Sequence, residues 1–251
     1  MHPAKLAASL LVLLALALGA TPARAETVDC LAITALPAVI TVQGVHCFTG
    51  DLSTAATSGS AIDIQTNNVV LDLNGFNLNG LAGLGTQAVG IHALDRRNIT
   101  IKNGTVRGFL RGIHLETGGT SQGHVVESMR ADRNTFVGIE VDGAGNIVRN
   151  NQIVATAATA TNASAYGILI VGNGARVLNN DVINTFKQGT GTAWGIQFNQ
   201  ATGGFAVNNR ITTADRGIDY NNASTGKFRD NLTSDVATPF TGTGTNVGNN
   251  N

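Results

Sequence analysis

His92 and His114, two of the five histidines in the chain, each directly follow a Gly-Ile pair, and Glu140 directly follows the next such pair. Glu116 and Asp142 stand two residues beyond His114 and Glu140, and Arg111 precedes the second Gly-Ile pair. These residue types support three chemistries. Two carboxyl groups held about 5–9.5 Å apart can hydrolyse a glycosidic bond, which casts Glu116 with Glu140 or Asp142. A base beside a cation suits proton abstraction next to a uronate carboxylate, which casts His114 with Arg111. His92, His114 and Glu140 are also the ligand types that zinc and copper take. A fourth reading gives them no chemistry at all, because a strand face turned to water must be polar in any case.

The elements that position these residues recur. Gly-Ile returns at 90–91, 112–113, 138–139, 167–168, 195–196 and 217–218, with Ala61-Ile62 in the same slot. A polar turn pair follows each: Asn74-Gly75, Asn103-Gly104, Asn150-Asn151, Asn179-Asn180, Asn208-Asn209 and Asp230-Asn231, with Ser128-Met129 as a degenerate copy. Gly90 to Asn103, Gly138 to Asn150 and Gly167 to Asn179 are twelve or thirteen residues apart; Gly112 to Ser128 is longer, stretched by "GGTSQG". After each Gly-Ile the residues alternate apolar and polar ("GIHLE", "GIEVD", "GILIV", "GIQFN", "GIDYN"), the signature of a strand with one buried face. Two further short strands flank the polar pair, whose Asn and Gly accept the left-handed backbone of a tight bend. Three short strands per repeat describe a parallel β-solenoid with stacked Asn side chains at the bend.

In such a coil the residues after Ile form one outward column: Asp63, His92, His114, Glu140, Leu169, Gln197, Asp219. The next holds Gln65, Leu94, Glu116, Asp142, Val171, Asn199 and Asn221. Extra residues at 81–88, 155–165 and 185–193 predict ridges, and the short connections before Gly112 and Gly138 predict a groove between them over His114 and Glu140. Tyr166 and Trp194 precede equivalent glycines. Turned outward, they would form an aromatic platform for a sugar ring, with His92 at the rim; alternation counted back from Ile would turn them inward.

Composition narrows the function classes. Charged residues are 13% of the chain and the formal net charge is zero, which argues against an electrostatic binder of nucleic acid or anionic membrane. "MHPAK", the apolar run "LAASLLVLLALALGA" and Ala23-Arg24-Ala25 read as a signal peptide over residues 1–25, cleaved after Ala25, and no later run is long enough to span a bilayer. The expectation is a secreted or periplasmic protein without a membrane span. In an oxidising compartment the two cysteines, Cys30 and Cys47, form a disulfide that contributes about 3 kcal/mol. The predicted organisation is an N-terminal cap over 26–57, a β-helix of about seven coils over 58–240, and a polar disordered tail over 241–251.

The stretches "CFTGDLS", "AIDIQTNNVVLDLNGFNLNG" and "NITIKNGTVRGF", with the repeat itself, resemble the right-handed parallel β-helix repeat proteins of the pectin-lyase-like superfamily over residues 30–236. That resemblance implies a single-stranded right-handed parallel β-helix. It implies no single activity: members include polysaccharide lyases, glycoside hydrolases, uronate epimerases, adhesins and a periplasmic copper-site maturation protein. Catalytic motifs of the family are not intact here. There is no adjacent Asp pair, and Gly123-His124 is followed by Val125 where a polygalacturonase-like site has a second Gly. The function expected is therefore binding, with or without modification, of a polysaccharide in the groove, with no cofactor; the alternatives are a non-catalytic interaction solenoid and a periplasmic metal-binding protein.

Overall fold

The computed structural model describes residues 29–81 and 83–251; the expected signal peptide lies outside the described residues. Among the described residues, twenty-three strands, all paired in parallel, wind into an all-β solenoid of about eight turns. Among the described residues no helix is long and apolar enough to cross a membrane.

Each turn carries three strands that stack on their counterparts one turn away. The first stack runs through Ser60–Ile64, Val89–Leu94, Arg111–Glu116, Val137–Asp142, Ala165–Val171 and Ala193–Asn199, then the end of Arg210–Asn221. The register pairs Ile62, Ile91, Ile113, Ile139, Ile168, Ile196 and Ile218 in one unbroken inward row. All seven are buried. So are Ile101, Val126, Val148 and Val177 of the second stack and Val106, Ile153, Val182 and Ile211 of the third. Burying each such side chain stabilises the fold by roughly 1.5–3 kcal/mol.

The polar pair does two jobs. Its first member takes the left-handed conformation at Asn74, Asn103, Asn150, Asn179, Asn208 and Asp230, and also at Ser128 of the degenerate copy. Where its second member is Asn, at 151, 180, 209 and 231, that side chain is buried. Asn180 Nδ2 donates to Asn209 Oδ1 at 3.0 Å and to the Val148 carbonyl at 3.0 Å, while Asn180 Oδ1 accepts from the backbone and side chain of Asn151. Asn151, Asn180, Asn209 and Asn231 continue this ladder along the bend, and Asn250 extends it.

Glycine before Ile has a packing reason. A Cβ on Gly167 would stand 2.4 Å from Val182 Cγ1 and 2.6 Å from the Gly195 carbonyl oxygen. Gly and Ile therefore both face the interior, and the strict alternation breaks between them.

Both ends of the chain depart from expectation. Residues assigned to a cap already form the first turn: Ala38–Ile40, Gly44–Phe48 and Leu52–Thr54 pair with the three strands of the next turn, which raises the count above seven. The Cys30–Cys47 disulfide, with Cα atoms 5.8 Å apart, fastens Leu31–Ile33 to Gly44–Phe48 there. At the other end, the segment expected to be a disordered tail packs as part of the last turn. Thr245–Asn246 pairs with Lys227–Phe228, and the Thr233 amide donates to the Asn251 carbonyl. Its polarity supplies the ladder instead of a core.

Candidate functional site

The outward face of the first stack holds the chemistry-bearing column in register. His92 lies between Asp63 and His114, His114 between His92 and Glu140, and Gln197 between Leu169 and Asp219. Pairing thus brings His92, Arg111, His114, Glu116, Glu140 and Asp142 onto neighbouring rungs of one sheet.

His92 is held at both ring nitrogens, Nδ1 3.0 Å from Asp63 Oδ1 and Nε2 3.0 Å from Glu116 Oε2. That hydrogen bond from His92 is the largest of the influences that hold the Glu116 carboxyl below its usual range. Arg111 Nε donates to Glu140 Oε2 at 2.6 Å. His114 Nε2 lies 3.7 Å from Glu140 Oε1, and its Nδ1 lies 3.9 Å from Glu116 Oε2, both beyond hydrogen-bond reach. Burial lowers the His114 pKa, with the Glu140 charge opposing, so its imidazole is neutral near pH 7. Asp142 is pushed up to about 7, first by burial and then by the negative charge of Glu140. The cluster therefore combines a neutral imidazole, an ion-paired carboxylate and a carboxyl that retains a proton near neutrality.

Access separates these residues into an inner and an outer set. His114, Glu140 and Asp142 are only 9, 7 and 8% exposed, whereas the Glu116 side chain is 42% exposed. The groove expected over His114 and Glu140 does not leave them open: both are buried, and Arg111 from the adjacent rung folds onto Glu140. Two of the three expected ridges pack side by side: the loops around 155–165 and 185–193 meet through an Ala157–Phe186 bridge, and the Gln188 amide donates to the Ala163 carbonyl. The metal trio suggested by the sequence is divided. His92 groups with His114 and Glu116, while Glu140 groups with His114 and Asp142, each set with its ligand atoms within 4.8 Å of one another.

Tyr166 and Trp194 point outward and are half-buried. Counting back from Ile misleads here, because both Gly and Ile of each pair face inward. Their rings stack at 4.6 Å between centroids with planes 2° apart. Phe136 meets Tyr166 in a T-shaped contact, and the Arg216 guanidinium lies over the Trp194 ring at 5.9 Å from its centroid. Stacked on each other from adjacent rungs, the two rings present edges outward, and the expected platform for a sugar ring is not formed. Trp194 Nε1 donates to Asp219 Oδ2 at 3.1 Å, as does Gln197 Nε2 at 2.8 Å.

A buried serine-histidine contact escaped the sequence reading: Ser121 Oγ lies 2.7 Å from His124 Nε2. The Ile99 amide donates to His124 Nδ1, so Nε2 carries the proton and donates to Ser121. His124 therefore cannot accept a proton from Ser121, and the pair is no nucleophile-base couple. Burial drives the His124 pKa down to about 4. The only hint in the sequence was the stretched interval after Gly112. Its loop, with Gly143 and Gly172, lines a cavity of about 380 Å³ at the corner beside Asp142.

No family model and no curated protein sequence matches this chain. Among solved structures, the A-module of the Azotobacter vinelandii mannuronan C-5 epimerase AlgE4 is similar at 12% identity, covering 82% of this chain and 79% of its own, with a TM-score of 0.36. The AlgE6 A-module from the same organism is similar at 12% identity over 85% of this chain and 87% of its own, with a TM-score of 0.31.

Proposed function

We propose that this protein binds a polysaccharide along the outward face of its first strand stack. One observation carries the reading: half-buried polar groups stand on successive rungs of this face, Asp63, His92, then Arg111 and Glu116, beside a buried polar column of His114, Glu140, Gln197 and Asp219 that Leu169 interrupts. Rungs repeat every ~4.8 Å, so a linear polymer laid across the coils meets polar groups at regular intervals. Small-molecule sites are usually enclosed and apolar; this face is neither. The groups that would meet the polymer are Glu116, His92, Arg111 and the edges of Tyr166 and Trp194.

Binding, not catalysis, is the proposal. The three groups best suited to proton transfer, His114, Glu140 and Asp142, each expose less than a tenth of their surface. The proposal includes export to the periplasm or beyond, supported by the leading segment 1–25 and by the disulfide. A mature N-terminus at Glu26 would establish cleavage.

The test is retention on affinity gels cast with uronic-acid and with neutral polysaccharides, alongside assays for unsaturated products and new reducing ends. The proposal expects retardation by at least one glycan without product. Absence of retardation across the panel would remove it, and product formation would convert it into an enzymatic reading.

A further inference from the structure

The inner part of the cluster has unmet bonding capacity that the polysaccharide reading does not use. Asp142 Oδ1 is buried and has no hydrogen-bond partner among the described residues. Glu140 spends Oε2 on Arg111, and its Oε1 faces His114 Nε2 at 3.7 Å without bonding it. His114 makes no side-chain hydrogen bond among the described residues, its nearest carboxylate oxygens lying at 3.7 and 3.9 Å. A buried carboxylate oxygen without a partner is costly, and native proteins meet such groups with a donor, a water or an ion.

We infer that His114, Glu140 and Asp142 form a binding site for a divalent transition-metal ion of the zinc class. One nitrogen and one oxygen from each carboxylate lie within 4.8 Å of one another, on two adjacent rungs of a rigid sheet. Zinc bonds N and O ligands at ~2.0–2.2 Å, which in a tetrahedron sets ligand atoms roughly 3.3–3.6 Å apart. The present His114–Glu140 distance of 3.7 Å closes to that value with a small side-chain shift. Three protein ligands leave a fourth position open. A mixed imidazole-carboxylate set selects a borderline ion over calcium or magnesium, which take oxygen ligands. Arg111 stays on the distal oxygen of Glu140 and fixes its orientation. His92 is not a ligand, since Asp63 and Glu116 occupy both of its ring nitrogens.

The inference is independent of polysaccharide binding and is tested with Zn²⁺ alone on metal-depleted protein, by calorimetric titration and elemental analysis. The expected result is one Zn²⁺ per chain, with affinity falling at least a hundredfold in Asp142→Asn and in His114→Gln. Glu127→Gln, a change on the second stack, leaves binding intact. Thermal unfolding provides the control for folding: Zn²⁺ raises the midpoint of the native protein and not that of Asp142→Asn, which itself stays folded because the amide matches the size of the carboxyl it replaces and carries no charge. Absence of stoichiometric uptake by the native protein would overturn the inference. So would undiminished uptake by Asp142→Asn, or loss in His92→Gln with retention in Asp142→Asn, which would place the ion in the outer set.

Discussion

Tyr166 and Trp194 lie face to face on neighbouring turns, ring centroids 4.6 Å apart, because parallel pairing puts them in direct register. The contact makes Trp194 part of the scaffold. Replacing Trp194 with Ala removes the stack, uncovers Arg216 and leaves Asp219 without its indole donor. A loss of about 2–4 kcal/mol in urea unfolding is expected. Trp194→Phe keeps the stack and loses the hydrogen bond, and about 1 kcal/mol is expected there.

The adjacent asparagines of one bend should respond differently. Asn180 is buried and bonded on both sides, so Asn180→Ala strands the Val148 carbonyl and the Asn151 amide and costs about 2–4 kcal/mol. Asn179 is exposed, and its main duty is its φ of 55°. Asn179→Ala costs about 1 kcal/mol, as expected for a left-handed alanine. Equal losses in chemical denaturation would contradict the ladder.

Gly167→Ala tests the inward slot before Ile. The new methyl would meet the Gly195 carbonyl oxygen at 2.6 Å, and backbone in a stacked solenoid has little room to retreat. A loss of more than about 2 kcal/mol is expected. Gly119→Ala has open space around the Cβ and changes stability only through its backbone conformation, φ 136°.

His124 gives the fold a pH dependence. Its folded pKa of about 4 lies below the unfolded value near 6.5, so the unfolded chain takes up a proton first as pH falls. The contribution is full above pH 6.5 and is lost between there and about pH 4, by about 3 kcal/mol. Asn146 fills the equivalent place one turn on, its Oδ1 accepting from the His124 amide just as His124 Nδ1 accepts from Ile99. His124→Asn should therefore fold and lose this component. Parallel pH profiles for both proteins, measured as denaturation midpoints, would refute the assignment.

Much of this architecture was legible because it is periodic. The column from Asp63 to Asp219 appears as a paired register throughout, the second column is paired from Asp142 to Asn221, and even Ser128, with no Asn in its slot, adopts the left-handed bend. Three things were not legible. The first turn lacks both Gly-Ile and the Asn pair, so its strands passed for a cap. The last turn is polar because Asn250 completes a hydrogen-bond ladder, and polarity alone reads as disorder. Exposure of the site depended on rotamers: whether Arg111 lies over Glu140 or reaches into solvent is a choice among side-chain conformations that spacing does not encode. Likewise, the orientation of Tyr166 turned on the break in alternation at Gly167, which needs the packing of Val182 against that glycine to be seen.

Trp194 is the sole tryptophan, half-buried with its edge on the proposed binding face, so its emission reports on that face directly. Titrating the protein with the polysaccharide that retards it should change Trp194 fluorescence saturably. In Glu116→Gln, which removes the most exposed carboxylate of the cluster, the midpoint should rise about tenfold, as loss of a charge-assisted hydrogen bond implies. Emission that stays constant through saturating glycan, or an identical curve for Glu116→Gln, would contradict polysaccharide binding on this face.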